Sequence, residues 1–285
     1  MQNKADYYFK QAMQEVLDNG QWDENPRPYW LEEDGSKTPA HSKFITHVLN
    51  TYDLDKGEYP FLTLRPMPWK TGIKELLWIF QDQSNDLNLL KSKYNVHYWD
   101  DWNVGDNTIG QRYGHTVRRY DLMNKLLKGI KENPYGRRHI MSMWQEEEFK
   151  DDTKGLPPCA FETIWTVRGE FLDMSLIQRS SDHATAGSAI NETSYCALLL
   201  MVARHCGYKP GKFSHFIINL HMYDRHEKQV RAMLEREPVK CNPRLILNPN
   251  KTDFYDITID DFVLEDYPLD EIKAKNPQLK FPLAI

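Results

Sequence analysis

The chain has 285 residues, 40% hydrophobic and 12% aromatic, which is enough for one sizeable core. Lys plus Arg number 36 against 41 Asp plus Glu, a net charge of −5, so no global basic field marks nucleic acid as the partner and any anion must be held locally. The four cysteines (Cys159, Cys196, Cys206, Cys241) form no CxxC pair and no zinc-like spacing with histidine, which argues against both a disulfide framework and a metal site.

The first residues, Met1 to Phe9, lack the apolar core of a signal peptide, and the longest apolar run, Cys196 to Ala203, is too short for a bilayer. A soluble, cytoplasmic protein without a membrane partner is expected. Residues 4–19 place Tyr8, Ala12, Val16 and Leu17 at helical spacing, and Asn19-Gly20 reads as the C-cap. The next stretch, to Thr46, is rich in Pro, Gly and charge and reads as an ordered loop carrying Arg27 between two prolines. Phe44 to Tyr52 alternates as a strand.

Trp69 to Phe80 has apolar residues at helical spacing almost all round, so this helix should be deeply buried. Glu75 is its anomaly. A carboxylate among Leu76, Leu77 and Trp78 must be paired, hydrogen-bonded or shifted in pKa, which makes it either a structural partner of Lys74 or a core arginine, or a working group. Gln81 to Ser92 is polar. Trp99-Asp-Asp-Trp102 offers either a core anchor or a platform for a flat heterocycle. After the loop Gly105 to Gly114 comes a basic amphipathic helix, residues 121–131, stopped by Asn133-Pro134. Arg137 and Arg138 then stand before the strand Ile140 to Trp144, two adjacent guanidinium forks of the kind that suits phosphate.

Gly155-Leu-Pro-Pro-Cys159 presents a thiol behind two prolines, which fix φ and withhold backbone donors, at the start of a strand. Arg179 lies one strand and a turn downstream, where a hairpin could bring it back beside the sulfur to lower its pKa; the alternative is a buried structural cysteine. Tyr195 to Gly207 reads as a central buried helix with a glycine C-cap. Phe213 to Tyr223 is a strand with His221 and Tyr223 on one face, followed by a helix from Asp224 to Arg236 and strands at 245–247 and 262–264. No repeat or linker divides the chain, so a single α+β domain over residues 1–285 is expected.

Taken in order, Arg27, Glu75-Leu-Leu-Trp, Trp99-Asp-Asp-Trp102, Tyr113-Gly114, Arg137-Arg138, Pro158-Cys159, Gln178-Arg179-Ser180-x-Asp182, Asn191, His221-x-Tyr223 and a terminal Ala-Ile285 resemble the folate-dependent thymidylate synthases, within the superfamily that also holds the pyrimidine hydroxymethylases. The resemblance runs from the first helix to the last residue and is closest to the branch of Gram-positive bacteria and their phages. It implies a large mixed sheet covered by helices, two such sheets packing back to back in a homodimer, and methylation of dUMP to dTMP with 5,10-methylenetetrahydrofolate and no metal.

By resemblance, Cys159 attacks C6 of the uracil with Arg179 beside it. Arg27, Arg179 and Ser180, with Arg137 and Arg138 of the other subunit, hold the phosphate. Asn191 reads the uracil edge, Gln178 and Asp182 are further substrate-binding residues, and His221 with Tyr223 holds the sugar hydroxyl. Glu75 organises water and relays protons, Tyr113 helps remove the C5 proton, and Trp99, Leu156 and Asp182 line the folate site under a lid ending at Ile285.

One segment departs from the family pattern. Between Arg179 and Asn191 the chain reads Arg-Ser-Ser-Asp-His183-Ala-Thr-Ala-Gly-Ser-Ala-Ile-Asn191, one residue longer than usual, with small side chains in place of bulky ones and a histidine added. If this opens a water path with His183 as base, hydroxymethylation of dUMP is the alternative outcome.

Overall fold

A computed structural model of the chain describes residues 3–149 and 155–285. Helix α1 (Lys4–Asn19) starts where the Asn3 side chain accepts the Ala5 N–H, and it buries Phe9, Ala12, Met13 and Val16 on one face. Gly20 closes it in extended rather than left-handed backbone. Glycine is needed there for another reason: a Cβ would sit 2.4 Å from the Val16 carbonyl oxygen.

Strands β1 (Gln21–Trp22), β2 (Tyr29–Leu31), β3 (Lys37–Pro39) and β4 (Ser42–Asp53) come next. The helical stretch that follows holds α2 (Trp69–Phe80), α3 (Leu87–Tyr94), α4 (Gly114–Arg119) and α5 (Leu122–Glu132). Then come β5 (Ile140–Ser142), β6 (Ala160–Arg168), β7 (Phe171–Gln178), β8 (Ser181–Asp182), α6 (Glu192–Cys206) and β9 (Lys209–Tyr223). The last elements are α7 (Glu227–Glu235), β10 (Arg244–Leu247), β11 (Phe262–Glu265) and α8 (Leu269–Lys275).

The large sheet is mixed, in the order β1-β4-β9-β7-β6-β5, with β8 also paired to β9. Strand β9 is antiparallel to β4 but parallel to β7 and β8. Parallel neighbours cannot be joined by a tight turn, and here α6 is the crossover. Residues 179–191 therefore lie where the chain leaves the C-terminal end of β7, the edge of a parallel pair at which open sheets bind ligands.

Helix α6 is buried from Glu192 to Ala203, as its all-round apolar sequence requires, with α2 on one side and β7 and β9 on the other. Gly207 ends it at φ +81°, the left-handed cap expected from sequence. Register carries a row across the sheet, Leu49 to Phe216 to Ile177 to Glu162, and Leu49 is 58% exposed.

Three helices escaped the sequence reading. In α3, Leu87, Leu90 and Tyr94 are buried, but Asn88, Lys91, Ser92 and Lys93 between them mask the period. Asp86 caps its start and Asn95, at φ +54°, its end. Helices α4 and α8 are too short to show a period. The expected helix from Asp224 is a 3-10 turn followed by α7. The anomalous segment after Arg179 is a π-helix, His183–Asn191, in which the Glu192 N–H reaches back to the Gly187 carbonyl. A π turn accommodates one more residue than an α turn, and this one delivers Asn191 to the head of α6.

Candidate active site

Cys159 immediately precedes β6, and the β6–β7 pairing sets Ala160 opposite Gln178. The Arg179 N–H donates to the Cys159 carbonyl at 2.9 Å. Its guanidinium donates to the carbonyls of Pro157 and Pro158 at 2.8 and 3.0 Å, which aims Nη2 at the sulfur, 3.6 Å away. The prolines thus supply two acceptors that hold the cation in place. Burial pushes the thiol above its usual range, and Arg179, then Arg27, pull it back only in part. The expectation of a net lowered pKa is therefore corrected for the unliganded protein: desolvation outweighs the guanidinium.

Glu75, on the buried face of α2, is 9% exposed and accepts a hydrogen bond from the Trp99 indole N–H. It has no ion pair among the described residues, so neither Lys74 nor a core arginine accounts for it. Burial raises its pKa and the Trp99 bond opposes the rise. The buried Tyr98 hydroxyl faces it without reaching hydrogen-bond geometry. A cavity of about 60 Å³ brings Glu75, Trp99, Tyr113, Cys159, Asn191 and Tyr195 together, with room for water.

Tyr113 stands at φ +50°, ψ −113°, a strained backbone for a residue with a Cβ. Next to it, a Cβ on Gly114 would meet the Ser84 carbonyl oxygen at 2.1 Å, so the chain passes close there because of the glycine. The Tyr113 hydroxyl accepts the Cys159 N–H at 3.2 Å, which leaves its own proton free toward the cavity.

On the sheet side, Gln178 Nε2 donates to the Ser180 carbonyl at 2.9 Å and to Asn191 Oδ1 at 3.2 Å. His221 lies edge-on to Tyr223, with Nδ1 3.0 Å from Asn219 Oδ1, and burial lowers its pKa. Burial alone would raise the Asp182 carboxyl, but His226, 3.6 Å away, brings it below the usual range. Burial works against the charged His226 too, yet Asp182 raises its pKa overall, and its Nε2 donates to the Pro282 carbonyl at 2.8 Å. At the chain's end, Ile285 exchanges backbone hydrogen bonds with Tyr29, two residues from the exposed Arg27.

Residues 7–284 match the thymidylate synthase family model. Thymidylate synthases of Streptococcus pneumoniae strains are 51% identical to the chain, covering 99% of both, and that of Lactococcus lactis subsp. cremoris is 49% identical over the same shares. The solved structure of thermostable thymidylate synthase A from Bacillus subtilis superposes with a TM-score of 0.88 at 35% identity, covering 99% of each chain. The chain belongs to the thymidylate synthase family. The fold follows the family's.

Arg137 and Arg138, expected by resemblance at the other subunit's phosphate site, lie away from this cavity. The carbonyl of His139, just after Arg137 and Arg138, accepts from the Trp165 N–H. Trp165 is six residues along β6 from Cys159, roughly 20 Å at about 3.3 Å per residue. These exposed arginines are therefore far from their own chain's cysteine. Leu156 packs against the core three residues before Cys159. Trp99 spends its N–H on Glu75 and packs on Trp78, Trp102 and Tyr113.

His183 is poorly suited to act as a base toward water. It is buried and stacked on Phe9 of α1, and desolvation drives its pKa down to about 4, which makes it a weak base held away from solvent. Sequence reasoning also missed Tyr195, which lines the cavity and donates to the Ala160 carbonyl, and Glu192 with His215 behind Gln178. A signal for Glu192 existed: like Glu75, it is a carboxylate at an apolar run. No helix among the described residues is long and apolar enough to cross a membrane, and none of them group three or more metal-binding side chains.

Proposed function

We propose that the chain, as a single catalytic domain, methylates dUMP to dTMP through a covalent adduct at Cys159. The observation that carries this reading is the convergence of Cys159, Glu75, Tyr113 and Asn191 on one cavity, with Arg179 aimed at the sulfur, in a chain of this family. When bound, 5,10-methylenetetrahydrofolate supplies the one-carbon unit and then the hydride. The chain's residues do the rest. Arg179, with Arg27 and Ser180, draws the substrate phosphate to the end of β7, and closure over the nucleotide strengthens the pull of Arg179 on the thiolate. Cys159 adds to C6 of the ring and the electron pair moves to O4, where the Asn191 amide donates to the enolate. The Tyr113 hydroxyl, through a cavity water, takes part in removing the C5 proton, and Glu75, protonated more readily because it is buried, relays protons to the ring oxygen.

His221 and Tyr223, on one face of β9, hold the sugar hydroxyl. Asp182 and Trp99, with Leu156, border the folate, and the Ile285 terminus seals it from water. Hydroxymethylation is not favoured: the relatives that match the whole chain are thymidylate synthases, and His183, which would have driven it, is buried against α1 and a weak base. Two further features support a homodimer. The row Leu49, Phe216 and Ile177 offers an apolar face for a second copy, and Arg137 with Arg138, remote from its own Cys159, is free to serve the partner's phosphate site. The test is to incubate the protein with 5-fluoro-deoxyuridylate and methylenetetrahydrofolate, digest it, and locate the adduct by mass. The Cys159 peptide should carry it; an adduct at another cysteine, or none, contradicts the assignment.

A further inference from the structure

Behind Asn191 a buried polar chain runs away from the cavity, and donor and acceptor bookkeeping fixes its polarity. Gln178 Nε2 faces the Ser180 carbonyl, which only accepts, so the amide oxygen must point the other way, to His215 Nε2 at 2.8 Å. That nitrogen must then donate. The other ring nitrogen, Nδ1, is 3.1 Å from Glu192 Oε1, which also accepts from Asn50, while Oε2 accepts from Tyr52. Three short contacts of this kind describe a carboxylate, so Nδ1 donates too. Both ring nitrogens of His215 therefore carry protons, and His215 is the counter-charge of Glu192 in a site where the two residues are 0% and 2% exposed. Asn50 and Tyr52, its other partners, are neutral, and a buried carboxylate needs a cation.

We propose that the Glu192–His215 ion pair is a positioning device that makes the site specific for uracil. This deepens the function proposed above and rests on it. A side-chain amide has two faces. With Nδ2 outward, Asn191 donates to O4 and accepts from N3–H, the uracil pattern. Turned over, it accepts from an exocyclic amine and donates to N3, the cytosine pattern. An amide free to turn reads both bases. Here the Gln178 N–H holds Asn191 Oδ1, the His215 N–H holds Gln178 Oε1, and the Glu192 charge keeps His215 doubly protonated. The second lone pair of Asn191 Oδ1 remains for N3–H. Specificity for the base is thus set two residues behind the one that touches it.

In Glu192→Gln the counter-charge is gone; the Asn50 N–H keeps the new amide's oxygen at the Oε1 position, so Nδ1 of His215 keeps its proton, Nε2 gives its own up and becomes an acceptor, and Gln178 must turn its N–H to it. Asn191 then loses its lock. Calorimetric Kd values for dUMP and dCMP, measured on wild type and on folded Glu192→Gln, should show the preference for dUMP falling by about tenfold or more, the usual cost of a buried group facing the wrong partner. An unchanged preference in the folded variant overturns the proposal. Should that variant not fold, neutron diffraction from wild-type crystals tests the same claim directly: deuterium is expected on both His215 ring nitrogens, and a single one refutes it. Failure of wild type to form dTMP would instead overturn the function, whatever His215 carries.

Discussion

Arg179 Nη2 lies 3.6 Å from the sulfur of Cys159, placed there by strand register across twenty residues and held by two proline carbonyls. At that distance a full charge pair is worth about 4 kcal/mol for a semi-exposed site. Arg179→Ala should therefore slow iodoacetamide alkylation of Cys159 at neutral pH by at least about tenfold, since the thiolate is the reacting form. Cys159→Ser should bind dUMP and lose nearly all turnover. An unchanged alkylation rate would show that the guanidinium does not act on the thiol.

Glu75→Gln keeps an acceptor for the Trp99 indole N–H and removes the ionisable group. The fold should persist by circular dichroism while kcat drops by about a hundredfold or more, the usual share of a positioned acid or base. A matched loss of kcat and of native structure would make Glu75 a packing residue instead.

Much of this was legible in the sequence where periodicity and chemistry coincide. The period of α2 exposed Glu75 as a misfit, and a hairpin was the simplest way to bring Arg179 to Cys159. The hidden parts have physical reasons. Helix α3 has its buried positions diluted by Asn and Lys, and the π-helix has no period that sequence inspection seeks. His215 lies inside a strand between the apolar buried residues Phe213 and Ile217, so its partners Gln178 and Glu192 become visible only through strand register. The net pKa of Cys159 was misjudged because sequence shows the cation but not the desolvation.

His183 gives a stability prediction with a definite sign. Its folded pKa, about 4, is below the unfolded value of 6.5. The unfolded chain binds the extra proton first as pH falls, so this stabilisation is complete above about pH 6.5 and lost on descent toward pH 4, a total of about 3 kcal/mol. Denaturant unfolding of wild type and His183→Gln across that window should show a shallower pH slope in the variant. Parallel slopes would mean that His183 titrates in the folded protein as it does unfolded.

Subunit mixing tests the loan of Arg137 and Arg138. Arg137→Ala/Arg138→Ala chains keep Cys159, and Cys159→Ser chains keep both arginines. Each homodimer should be nearly inactive. After unfolding and refolding together, the heterodimer holds one site with both parts if the arginines reach across, so activity should return. Absence of any recovery in a sample that contains heterodimer would assign the arginines to their own chain or to no site at all.

The central claim is the reaction itself. Wild-type protein incubated with dUMP and 5,10-methylenetetrahydrofolate should yield a nucleotide heavier by one methylene, identified by mass as dTMP, with dihydrofolate absorbance rising in step. A product bearing a hydroxymethyl group, with tetrahydrofolate and no dihydrofolate, would contradict the account.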